Sequence, residues 1–141
     1  MDKQLQVMKE NVKVEELTPA QLAYVGDSVF EIYVRAKITL EANRKIKELN
    51  KEALNYVKAG MQAESYKDIA EMLTEEEEEI YKRCRNHKGT ISSRSATASD
   101  YRMATGLEGL LGYLLLTGQM ERLDEIMKVI FEKKDERLKN I

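Results

Sequence analysis

The sequence has 141 residues, 43% of them apolar and 34% charged, with one Pro, seven Gly, no Trp and a single cysteine, Cys84. That is one domain's worth of chain, and it excludes collagen-like, low-complexity, disordered and disulfide-stapled folds. The net charge of −2 hides an acid-free block at 82–99 carrying Lys82, Arg83, Arg85, Lys88 and Arg94, so against a total of −2 this +5 leaves −7 elsewhere. A basic block in an acidic chain is either a localised anion-binding surface or a solvated helix end and loop.

Thr18-Pro19-Ala20-Gln21 combines an N-cap, a Pro at the first helical position and a capping-box Gln. The spacing of Leu22, Val25, Val29, Ile32 and Tyr33 carries that helix to about Ile38. A second periodic segment runs from about Asn43 to Val57, meets Gly60 and resumes from Met61 to Leu73. Thr74 with Glu77 is another capping box, and the Glu75–Glu79 run suits a helix N-terminus. That helix closes on Lys82, Arg83 and Arg85 and stops before Gly89. Residues 86–98 are loop-like. Ser99 is positioned to cap a helix from Asp100 to about Thr117, which Gly118 ends. A last helix spans about Gln119 to Lys133, and the tail DERLKNI is expected to fray. No alternating strand pattern appears. The expectation is a single all-α domain over 1–141, with its core at about 18–132.

No apolar run, including that holding Leu110 to Leu116, approaches the ~18 residues of a membrane helix. The charged start MDKQLQVMKE has no signal-type apolar region. A soluble, cytoplasmic chain with no membrane partner is expected.

Two carboxylates stand out. Asp27 lies in LAYVGDSVFEIYV and Glu108 in MATGLEGLLGYLLL, the most apolar segments of the chain. An acid in such a helix is expected to be partly desolvated, which is unfavourable unless it is paired or bound to a cation. Gly26 adjoins Asp27, and Gly106, Gly109 and Gly112 recur around Glu108. Each interior helical Gly costs about 1 kcal/mol relative to Ala, so their presence points to close backbone approach. Helices crossing at these glycines bring Asp27 and Glu108 together, and two facing carboxylates suit Mg²⁺. A second reading stays open. In it Asp27 caps a helix starting at Ser28, Glu108 pairs with Arg102 or another base, and the glycines serve packing alone.

Other chemistries find little support. One histidine, His87, and one cysteine make neither a zinc site nor a di-iron bundle, and no phosphate-binding loop or nucleophile elbow is present. Cys84 reads as helix packing, and His87 as an RNA or solvent contact.

The run Leu22-Ala23-Tyr24-Val25-Gly26-Asp27-Ser28-Val29-Phe30 resembles the ribonuclease III signature, an apolar-aromatic-apolar-Gly-Asp run on a helix. Ala104-Thr105-Gly106-Leu107-Glu108-Gly109-Leu110-Leu111-Gly112-Tyr113-Leu114 is similar to that family's other acidic motif. The Glu-rich run into Arg83-Cys84-Arg85-Asn86-His87-Lys88, then Asp100-Tyr101-Arg102 and Leu116-Thr117-Gly118, resemble the Mini-ribonuclease III branch, which has the catalytic domain alone. The resemblance spans most of residues 18–128, and it implies a chain without a double-stranded RNA-binding domain.

The resemblance implies Mg²⁺-dependent hydrolysis of double-stranded RNA, leaving 5′-phosphate and 3′-hydroxyl ends. It also implies a homodimer whose two sites line one RNA-binding valley. Asp27 and Glu108 match the two principal acidic positions, as catalytic residues and metal ligands. The branch further implies maturation of the large-subunit (23S) ribosomal RNA precursor, with ribosomal proteins on that precursor as candidate partners. The chain departs from full-length relatives at Ala23 and Thr105, where further acids are usual, and in the Thr105-Gly106-Leu107 run before the Glu. In this frame Lys88 and Arg94 are expected on RNA phosphates, with Arg85 and Arg102 supporting the loop or the scissile strand. Dimerisation rests on the resemblance, since the periodicity assigns no face to an interface. Two alternatives from other classes are a catalytically silent double-stranded RNA-binding dimer and an all-α nucleotide pyrophosphohydrolase. Glu121 and Asp124 are a sparse acidic set for the latter.

Overall fold

The computed structural model describes residues 7–87 and 97–140. Six α-helices carry the fold and no strand occurs among the described residues: α1 (Pro19–Glu41), α2 (Ile46–Val57), α3 (Ala59–Ile69), α4 (Glu75–Arg85), α5 (Ala98–Leu116) and α6 (Met120–Lys139). Short 3₁₀ turns precede α1 (Val14–Glu16) and follow α3 (Ala70–Met72). No described helix is long and apolar enough to cross a membrane.

The caps form as their sequences imply. Gln21 N–H donates to Thr18 Oγ1 at 3.1 Å while Gln21 Oε1 accepts from Thr18 N–H at 2.9 Å. Thr74 and Glu77 repeat the arrangement at 3.1 and 2.9 Å. Gly118, at φ 73°, closes α5. Its N–H reaches Leu115 O at 3.0 Å and that of Gln119 reaches Leu114 O at 2.9 Å, a Schellman pair.

Helix α5 is the hub. Ala104, Leu107, Leu110, Leu111 and Leu114 are buried around it, and it packs against α1, α3, α4 and α6. A helix apolar on most sides needs neighbours on most sides. Phe30, Val34 and Ile38 of α1, Tyr56, Ile69, and Leu123, Ile126 and Ile130 of α6 complete the core.

Several boundaries differ from the sequence-based expectations, among them the start of α2 at Ile46 and the end of α3 at Ile69. Helix α1 runs one turn beyond Ile38, to Glu41. The break between α2 and α3 falls at Lys58, whose ψ of 148° is extended, and Gly60 lies inside α3. Thr97, not Ser99, caps α5, its hydroxyl accepting from Asp100 N–H at 3.0 Å. The tail does not fray at Asp135: α6 continues to Lys139 because tertiary charge pairs anchor it. Arg137 grips Asp68 through two bonds at 2.9 and 2.7 Å and reaches Glu64 at 2.8 Å. Lys134 lies buried with its ammonium 5.0 Å from the centre of the Tyr56 ring.

Glu77 does more than cap. It is 5% exposed and takes Arg122 Nε at 2.8 Å and Nη2 at 2.9 Å, clasping α4 to α6. The guanidinium holds the Glu77 carboxyl below its ordinary range.

Candidate active site

Helices α1 and α5 cross at bare backbone. A Cβ on Gly26 would stand 1.5 Å from the Glu108 carbonyl oxygen, and one on Gly112 would stand 2.1 Å from that of Leu22. The other two α5 glycines face α4 instead. A Cβ on Gly106 would meet the Tyr81 ring at 2.5 Å, and one on Gly109 would meet Cys84 Sγ at 2.3 Å. The three-residue repeat thus serves two neighbouring helices. Cys84 is packing, as expected: it is fully buried, and burial pushes its thiol up to about 11.

The crossing sets the Glu108 backbone against Gly26, so that Asp27, the next residue, acts on the Glu108 carboxyl. Asp27 sits in the middle of α1, which removes the reading of it as a helix cap. The Glu108 carboxylate accepts from the amide of Gln62, whose Nε2 donates to Oε2 at 3.3 Å, and it lies in the field of Asp27. Arg102 is exposed and lies about 120° round α5 from Glu108, which removes that pairing as well. Partial desolvation is expected of both acids, and the structure bears this out for Glu108, which is half-buried, but corrects it for Asp27, which is exposed because its part of α1 faces solvent. Burial pushes Glu108 up to about 8, aided by Asp27 and opposed by the Gln62 bond.

Among the described residues no cluster of three or more His, Cys, Asp or Glu side chains forms a metal-holding group. The donors at the crossing are two carboxylates and one amide. Mg²⁺ is commonly held by one or two carboxylates while it keeps several waters, so this sparse oxygen set fits it.

The ribonuclease III domain family model matches residues 20–119. The Mini-ribonuclease 3 of Thermoanaerobacter sp. is 42% identical over 92% of this chain and 95% of its own length. That of Enterococcus faecalis is 43% identical over 84% and 92% respectively. A crystal structure of a Fusobacterium nucleatum protein superposes with a TM-score of 0.77 at 32% identity, covering 84% of this chain and 97% of that one. The chain belongs to the ribonuclease III family. As a member it is an endoribonuclease of double-stranded RNA.

For a ribonuclease III fold the basic block is only partly free to meet RNA. Lys82 lies 4.0 Å from Glu78, and Arg83 donates to Leu17 O at 3.2 Å, tying down the segment before α1. Arg85 lies over the Tyr81 ring at 5.7 Å and donates to Asn86 Oδ1 at 3.0 Å. It therefore braces the end of α4. Lys88 and Arg94 lie outside the described residues.

Gln62 is the site residue that pattern reading missed. It is 3% exposed, in the first turn of α3. The available signal was its spacing: Gln62, Ser65, Tyr66 and Ile69 fall at i, i+3, i+4 and i+7, so a polar amide occupies a core-facing position.

Proposed function

We propose that this ribonuclease III family member hydrolyses phosphodiester bonds of double-stranded RNA with Mg²⁺, through Asp27 and Glu108, leaving 5′-phosphate and 3′-hydroxyl ends. The observation that carries the reading is the carboxyl pair itself, drawn together where Gly26 admits the Glu108 backbone. Two carboxyls this close disfavour ionising together, and a divalent cation between them relieves that repulsion. When bound, Mg²⁺ supplies an acidified water and neutralises charge that develops on the phosphate. The chain's own part is to present one exposed and one half-buried carboxylate in fixed register. Asp27 faces the solvent side, where RNA arrives, and Glu108 is held from behind.

The substrate assigned is the large-subunit ribosomal RNA precursor, met in the cytoplasm with its ribosomal proteins. Support for this is the likeness to Mini-ribonuclease 3 relatives. Lys88 and Arg94 are assigned to RNA phosphates, with Arg85 and Arg102 beside them.

The homodimer reading draws support from α1. Tyr24 is 82% exposed and Ile32 65%, and with Val25, Leu115 and Met120 they line a hollow of about 540 Å³. Large apolar side chains left bare in a row mark an association surface, and a two-fold pair of such stripes covers both at once.

The test uses labelled double-stranded RNA with the intact protein and with Asp27→Asn and Glu108→Gln, each in Mg²⁺ or EDTA. Internal cleavage that needs Mg²⁺ and vanishes in both variants is the expected result. Binding without cleavage by the intact protein would overturn the reading in favour of a silent RNA-binding dimer.

A further inference from the structure

We propose that Gln62 is a positioning residue for the reaction, aiming the Glu108 carboxylate at the divalent cation. The inference rests on the functional reading above. The three groups come from three helices: Asp27 from α1, Glu108 from α5 and Gln62 from α3. Gln62 Nε2 donates to Glu108 Oε2 at 3.3 Å.

A primary amide that is 3% exposed is an unfavourable core residue unless its polar atoms are bonded. A methionine of similar length would fill the same space without that requirement, so packing does not explain the amide. Nor does Glu108's own helix offer a substitute one turn back. Ala104 has no polar group, and the Thr105 hydroxyl donates to Tyr101 O at 3.0 Å. Ser65, the other buried polar side chain on this face of α3, is likewise committed, donating to Met61 O at 3.0 Å. The hold on Glu108 therefore comes from outside α5.

The local fold puts the amide there. The extended backbone at Lys58 ends α2 and starts α3 at Ala59, and Gln62 N–H closes the first α3 turn on Lys58 O at 2.9 Å. This turn packs on α5, so a short side chain can reach Glu108 without spanning solvent. An amide that fixes one carboxylate oxygen leaves the other with a defined direction. A cation held by only two carboxylates depends on such definition, because a wandering ligand weakens binding and misplaces the scissile phosphate.

The experiment compares intact protein with Gln62→Met by two readouts: Mn²⁺ binding followed by electron paramagnetic resonance without RNA, and Mg²⁺-dependent cleavage of double-stranded RNA. The expected result is cation binding several-fold weaker and kcat about tenfold lower, with KM for RNA within about twofold. A residue that only packs would lower the melting temperature and leave both cation affinity and kcat unchanged well below it. That outcome, in a variant with native circular dichroism, overturns the inference alone. Failure of the intact protein to cleave in Mg²⁺ overturns the functional reading together with it. If Gln62→Met does not fold, Gln62→Asn, which withdraws the amide by one methylene, is judged by the same two criteria.

Discussion

Substituting Gly26 by Ala tests the crossing on which the site depends. The new Cβ would stand 1.5 Å from the Glu108 carbonyl oxygen, where a carbon–oxygen contact needs about 3.3 Å or more. Helices α1 and α5 must therefore separate locally by about 2 Å, and the atom met is backbone, which cannot rotate away. Ala contributes about 1 kcal/mol of helix propensity over Gly. Forced separation of packed helices typically costs 1–3 kcal/mol, and a clash with backbone belongs at the upper end, so after the propensity gain a net loss of about 2 kcal/mol is expected. The same displacement moves Asp27 away from Glu108, and a misplacement of about 1 Å lowers turnover roughly a hundredfold. Urea denaturation followed at 222 nm, together with cleavage of labelled double-stranded RNA, measures both effects. Gly60→Ala is the control. Its Cβ would meet Asp100 Oδ2 at an ordinary 3.6 Å inside α3, so unchanged or slightly raised stability is expected. A Gly26→Ala protein with native midpoint and native activity would refute the crossing geometry.

Removing Arg122, as Arg122→Met, strands a Glu77 carboxylate that is 5% exposed, and a loss of about 3 kcal/mol is expected at pH 7. Because Arg122 depresses the folded-state pKa of Glu77, the pair stabilises above the unfolded carboxylate range, and that contribution fades as pH falls through the folded value. Acid unfolding curves should therefore converge for the two proteins at low pH, and a constant gap would contradict the assignment. Glu108 has the opposite sign. Its folded value of about 8 exceeds the unfolded one of about 4.3, so the folded state holds the extra proton and metal-free stability falls between those limits as pH rises. Glu108→Gln should flatten that slope in melting curves recorded in EDTA, and a slope equal to the parent's would count against the raised value. Finally, alanine at both Lys88 and Arg94 should weaken RNA binding and lower the slope of log affinity against log salt by about 1.5. An unchanged slope would reject both as phosphate contacts.

Much of this protein is legible along the chain because its signals are local. A cap needs only its own four residues, so Thr18 with Gln21 and Thr74 with Glu77 announced two helix starts, and Gly118 one helix end. Asp27 and Glu108 were visible because an acid within an apolar helical run conflicts with its surroundings, and the nearby glycines pointed to a crossing. Side-chain environment was not local in this way. Both acids occupy apolar segments, yet α3 covers Glu108 while Asp27 stays exposed, and that difference is set by a helix more than forty residues away in sequence. The same holds for the glycine repeat, whose members divide between α1 and α4 according to which helix lies alongside. The charged tail lacked an apolar stripe strong enough to predict its helix. It is ordered by Arg137 reaching Asp68 across the fold, an ion pair that no local pattern encodes. Gln62 belongs with these: one polar residue at a core spacing, given meaning only by the carboxylate that packing sets against it.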